Sequence, residues 1–313
     1  MPISSGTTTT TTTPTKTDSG KSSTIEPGAT ALADHCAAHV PAGIAGTLLA
    51  IAFWPILRSM CKSWFDEPAS MEHGILVIPA AICMAWTKRA ELRQISRAPS
   101  FWGVVLMCFG ATQAIVGSLA HWTWVSRMAF LVSLVGCIVA LYGFRMVLGL
   151  AYPLCTLVLM VTPPTFLYER LTLDLQLLAS KVGERSLEAL GYPVLREGNV
   201  LEMVDIKLSI EEACSGIRSL FSIWFLCVVY GYFFVTGKIL RMLIVLSAVP
   251  LAILGNAGRI VMTGLASQYN RALVEGAAHQ VFGYMSVAIS AAGCVAIHGL
   301  TVLLRKAWRW PSA

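Results

Sequence analysis

Apolar residues along this chain gather in blocks, not in amphipathic stripes or two-residue alternation. The blocks run at about 40–57, 74–87, 101–120, 127–142, 147–161, 216–235, 239–255 and 280–304. Most approach the ~20 residues that cross ~30 Å of hydrocarbon. The pattern predicts an all-α, polytopic transmembrane bundle of about eight helices. One long polar interval, 163–213, breaks the rhythm. Pro163-Pro164 ends the fifth helix, since proline lacks a donor and restricts the residue before it. From Phe166 to Leu190 the leucines 167, 171, 175 and 178 recur at helical spacing, which predicts an amphipathic helix on the membrane surface or capping the bundle. Gly191-Tyr192-Pro193 interrupts it, and Val200–Ile210 reads as a short extended segment.

Composition agrees with the blocks. Of 313 residues 56% are hydrophobic and 13% charged, whereas soluble domains carry about 25% charged residues. Residues 1–35, with seven consecutive threonines (Thr7–Thr13), cannot bury enough apolar surface to order themselves and are expected to be a disordered cytoplasmic tail ahead of a membrane domain over 36–313. The net charge of +6 does not indicate nucleic acid, because the bases sit in short clusters between apolar blocks. Lys88, Arg89, Arg93 and Arg97, then Arg145, then Lys238 and Arg241, then Arg305, Lys306 and Arg309 all fall on one side of an eight-helix bundle. If that side is cytoplasmic, both termini are inside and 163–213, with nine acids against five bases, is outside.

Reactive side chains cluster on that outer side. Cys214, in Glu211-Glu212-Ala213-Cys214-Ser215-Gly216-Ile217-Arg218, is the one cysteine of nine in a charged setting. At a helix N-terminus its thiolate is favoured, and Arg218 projects from the same helical face four residues later. Arg259 follows Asn256 within an apolar run, where an arginine costs about 2.5–3.5 kcal/mol at the centre of a span and so faces a cavity or partner. His279 opens the eighth block. Each also has an ordinary reading: a packed thiol, a guanidinium snorkelling to headgroups, an interfacial imidazole. Glu211 and Glu212 suit a helix N-terminus as capping charges. Spacing alone leaves both readings open.

Three blocks in this order, Glu-Ala-Cys-Ser-Gly-Ile-Arg-Ser-Leu at 212–220, Asn-x-x-Arg-Ile at 256–260, and His279 followed by Gly283, resemble the signature of the exosortase/archaeosortase family. Trp64, Asp66 and His73-Gly74 are similar to that family's first outer loop, and Pro163-Pro164, Gln176 and Leu190-Gly191-x-Pro193 also fit. Met71-Glu72 departs from the pattern, which more often has an aromatic and a serine before the histidine. The resemblance covers roughly 40–304.

The resemblance implies a membrane cysteine protease and transpeptidase of the bacterial inner membrane, with its site facing the periplasm. Its partners would be exported proteins ending in a Pro-Glu-Pro-like motif, a transmembrane helix and a basic tail. Cys214 would be the nucleophile, His279 the general base and acid, and Arg259 the oxyanion or positioning group. Arg218, His73 and Asn256 are candidate substrate contacts, and His73 also reads as a helix-start residue facing the interface. No metal or organic cofactor is expected, and the acceptor is open. A transporter or polysaccharide-export component, binding substrate without covalent chemistry, is the alternative. It finds little support in spans with few internal charges and no inverted repeat of broken helices.

Overall fold

In the computed structural model, the described residues are 27–65, 71–203, 206–209, 216–269 and 276–307, with side chains over the same ranges except 27–39, 206, 209, 269, 276–280 and 305. The chain divides into Met1–Gly43 and Ile44–Ala313. In the first unit the backbone is helical from Pro27, inside the stretch expected to be a tail, and 1–26 lie outside the described residues.

The architecture is a helical membrane bundle. Its helices are α1 (Pro27–Ala52), α2 (Trp54–Phe65), α3 (Gly74–Thr87), α4 (Arg89–Gln94), α5 (Phe101–Leu119), α6 (Thr123–Tyr142), α7 (Phe144–Gly149), α8 (Ala151–Leu157) and α9 (Thr165–Ala189), then α10 (Ile217–Phe234), α11 (Lys238–Leu246), α12 (Ala248–Tyr269) and α13 (Gly276–Ala307). Among the described residues, five stretches are long and apolar enough to cross a membrane: 101–119, 123–142, 217–234, 238–268 and 281–304. Two bent pairs, Val40–Ala52 with Trp54–Phe65 and Ala151–Met160 with Thr165–Ala189, raise this to seven, and Gly74–Thr87 is a shorter apolar helix. Each of the eight expected blocks thus has a counterpart. Large apolar side chains such as Phe101, Phe109, Leu119 and Leu303 lie on the outside of these helices, as they must where the solvent is lipid.

Small residues let the helices approach closely, the usual basis of packing in membranes. Gly103, Gly110 and Gly117 recur every seven residues on α5 and face Gly136, Ser133, Ala129 and Ser126 of α6. Gly255 of α12 faces Ser286 and Ser290 of α13, and Ser290 Oγ donates to the Leu251 carbonyl at 2.9 Å.

Two polar layers mark opposite ends of α3 and α10. At the C-terminal ends, Tyr232 Oη donates to the Met84 carbonyl at 2.8 Å and lies 3.0 Å from Thr87 Oγ1. Arg241 donates from Nε to the Gly231 carbonyl at 2.8 Å, with its guanidinium over the rings of Tyr152 and Tyr232. Lys88, Arg89 and Arg241, assigned to one side by sequence, therefore share one end of the bundle. At the N-terminal ends, three side chains hold the 3₁₀ turn Val158–Met160 and the residues after it. Trp64 Nε1 donates to the Met160 carbonyl at 3.0 Å, His73 Nε2 lies 3.3 Å from the Leu159 carbonyl, and Arg127 donates to Thr162 Oγ1. That turn bends the chain by 78° into α9.

The interval 163–213 folds as expected up to its strands. α9 begins after Pro164, whose ring fixes φ at −55° while ψ stays extended at 139°. A three-stranded antiparallel sheet then follows, in the order β1 (Val194–Glu197), β2 (Val200–Met203) and β3 (Ile206–Ser209). Leu201 and Met203 are buried against Ala179 and Leu187 of α9 and Ile260 of α12. Arg196 fastens β1 to α9 through Glu184 at 2.9 Å.

One expectation is corrected here. The apolar pattern ends the seventh block near Gly255 and puts Arg259 at its mouth. The helix instead continues to Tyr269, so Asn256 and Arg259 lie within it. Gly255-Asn256-Ala257-Gly258 lowers local hydropathy, but small residues inside a packed interface prolong a membrane helix.

Candidate active site

The site is built where α12 faces both the start of α10 and the start of α13. Asn256 is 3% exposed, one helical turn before Arg259 on α12. Its amide lies against Gly216, the residue that caps α10. Gly216 has φ +84°, and a Cβ placed there would come 2.8 Å from Asn256 Cγ. Two independent constraints, a left-handed backbone and no room for a methyl, thus demand glycine two residues after Cys214. On the next turn, the Arg259 guanidinium lies across Gly283 of α13, with Cζ 3.6 Å from the position a Cβ would take. Gly283 stands four residues after residue 279, so both occupy one face of α13.

The structure therefore joins the flanks of three separate sequence blocks. Gly216 meets Asn256, and Arg259 meets Gly283. Cys214 lies outside the described residues. His279 is on α13, with its side chain outside them. Arg218 is half-buried in the first turn of α10. α9 closes this region from another side: Gly183 faces Ile260, and Leu187 packs over Gly264.

His73 does start a helix, as expected, but it does not face the interface. It is 5% exposed, and Nδ1 lies 3.4 Å from Ser222 Oγ, which donates to the Arg218 carbonyl at 3.0 Å. Burial lowers its pKa to about 4, against the raising effect of the Leu159 carbonyl, so the ring is neutral at neutral pH. His73 links the turn before α9 to the first turns of α10. Trp64, 4% exposed, is likewise a buried donor. The sequence reading passed over Arg127, which is 8% exposed at the start of α6 and bonded to Thr162 and Ser59. A lone arginine opening an apolar block was the available signal.

Gly216→Ala should lower the thermal midpoint of the detergent-solubilised protein, costing about 1–3 kcal/mol for the left-handed backbone and the clash with Asn256. Gly283→Ala should leave the midpoint unchanged or raised, because its Cβ finds ordinary van der Waals contact. Equal midpoints for the two variants would contradict this packing.

No curated protein and no solved structure matches the chain. A sequence model described as transmembrane exosortase does match, over residues 64–296, which takes in Trp64, His73-Gly74, all three blocks, α10, α12 and the first two thirds of α13. The chain belongs to the transmembrane exosortase family.

Proposed function

We propose that this protein is a membrane transpeptidase of the cysteine protease type that processes C-terminal sorting signals of exported proteins. The observation that carries the reading is the packing of Gly216 on Asn256 and of Arg259 on Gly283. It draws the sequence neighbours of a thiol and an imidazole onto the helix that bears a guanidinium. Family membership supports the same reading.

In this mechanism Cys214 gives its proton to His279 and attacks the scissile carbonyl as thiolate, forming a C–S bond. The oxyanion is stabilised by Arg259, already inside the bundle and spared the reorganisation that water would require. The intermediate collapses to a thioester as the C–N bond breaks, and His279 returns the proton to the leaving amine. The acyl group then passes to an amine, a hydroxyl or water. The site faces the periplasm of the inner membrane, with both termini cytoplasmic. A substrate with its own transmembrane helix can lie beside the lipid-facing helices and present its peptide at the membrane surface.

A membrane-anchored reporter carrying a Pro-Glu-Pro-type motif, a transmembrane helix and a basic tail tests this on a gel. Coexpression with the wild-type chain should convert the reporter to a shorter form, and an unchanged reporter overturns the function. The topology is read separately: a membrane-impermeant thiol reagent should modify Cys214 from the periplasmic side, and modification from the cytoplasmic side alone refutes it.

A further inference from the structure

The sheet that precedes Cys214 has a direction and a phase that identify which backbone groups it leaves unused. β2 and β3 pair antiparallel with Met203 opposite Ile206, Glu202 opposite Lys207, Leu201 opposite Leu208 and Val200 opposite Ser209. Two residues join the strands, and the pair closing a two-residue hairpin exchanges both hydrogen bonds. Bonded and non-bonded pairs then alternate. Ile206 and Leu208 therefore spend their N–H and C=O groups on β2, while those of Lys207 and Ser209 point away from it. The first hairpin gives the same phase independently. Glu197 and Val200 close its two-residue loop, so Glu202 bonds β1 through Leu195 and turns its backbone away from Lys207.

The strand order is β1-β2-β3, so β3 is an edge, and among the described residues no strand pairs with its far side. Native edges are commonly guarded by an outward lysine. Here Lys207 is instead drawn across the sheet to Glu202, Nζ to Oε1 at 2.8 Å. The sheet is also fixed to the site. Leu201 and Met203 are buried against Ile260, the neighbour of Arg259, and Leu208 packs on the same cluster. From Ser209 the chain reaches Cys214 in five residues, a span of at most about 17 Å.

We propose that the free edge of β3 is the rail on which the substrate peptide is held, adding to the sheet as a fourth strand. The inference rests on the function proposed above and specifies how its site grips a substrate. The occupant is an extended peptide segment flanking the scissile bond. Its backbone repeats donors and acceptors every ~6.8 Å, the spacing of Lys207 and Ser209 along the edge. Strand addition takes its affinity from main-chain hydrogen bonds, so the edge selects an extended conformation and tolerates varied side chains. It also aligns the segment with the strand that leads into the Cys214 block.

Lys207→Pro tests this in the full-length protein. It deletes one outward N–H and no bond to β2, and Ile206 before it is already in the extended conformation that proline requires. Glu202→Ala removes the same ion pair from the neighbouring strand and leaves every outward amide of β3 in place. In reporter processing, Glu202→Ala should stay within about twofold of wild type, while Lys207→Pro should lose about tenfold in kcat/KM, chiefly through KM, the effect of one hydrogen bond. Equal rates for the two variants overturn the proposal.

A second measurement covers the case in which proline unfolds the strand. A photoreactive residue placed beside the cleavage point of the reporter, presented to the Cys214→Ala protein, should cross-link to residues 206–209. Cross-links elsewhere with none on β3 overturn the proposal. A reporter left uncut by the wild type sinks the function itself, and the cross-link then decides the edge on its own.

Discussion

Cys214→Ala should abolish reporter processing, leaving less than about one part in a thousand of the wild-type rate. The expected loss is this large because nothing else can form the covalent intermediate once the thiol is gone. Among the described residues, the other cysteines sit in the bundle itself: Cys137, Cys227 and Cys294 are buried, and Cys61, Cys83, Cys108 and Cys155 lie on exposed helix surfaces. Cys227 and Cys294 do lie where α10, α12 and α13 pack, but there they contact each other, Sγ to Sγ at 3.7 Å, within an apolar cluster that includes Ala248 and Ala252. Cys214→Ser replaces the thiol with a hydroxyl, whose pKa lies far above that of a thiol, so it should be nearly as inactive. The checks are the reporter gel together with the thermal midpoint of the purified variant. Full processing by Cys214→Ala would show that the thiol is not the nucleophile and would return the transporter reading to contention.

Arg259→Lys should reduce kcat about 100–1000-fold, the usual cost of removing one preorganised oxyanion donor, with little change in stability. Lysine keeps the charge, so the comparison isolates shape. The guanidinium is planar with donors in a fixed fork, and it lies flat against Gly283 where a side chain would stand. An ammonium on a flexible stem has no such seat. If Arg259 merely snorkelled to headgroups, lysine would serve equally well, and unchanged kcat in the lysine variant would establish that. Arg259→Ala should be at least as impaired, and a rise in KM with kcat intact would shift the residue to substrate binding.

How much of this was legible beforehand varies element by element. The apolar blocks gave the membrane helices directly, because a ~20-residue apolar run has few other physical solutions. The amphipathic helix was read as Phe166–Leu190 and observed as Thr165–Ala189, since Pro163-Pro164 and Gly191 bound it from either side. The extended segment at 200–210 proved to be two strands of a three-stranded sheet; its first strand, Val194–Glu197, was missed. Four residues with a half-buried, alternating pattern are too short to show a period of two. The break at Phe53 was hidden, because hydropathy runs on through it; at the other bend Pro163-Pro164 marked the stop, but not that Trp64, His73 and Arg127 from other parts of the chain hold the turn before it.

The sequence by itself determined that the chain lives in a membrane, which residues are candidates for chemistry, and which apolar blocks they adjoin. Those properties are local: hydropathy, charge and helical spacing act within one or two turns. Only the tertiary structure decided that Asn256 would meet Gly216 and that Arg259 would lie across Gly283. It also turned His73 inward and, among the described residues, left the far side of β3 without a partner strand. These outcomes depend on which helices approach closely enough to touch. That is settled by the fit of small residues on facing surfaces far apart in the chain, and no single stretch of sequence records it.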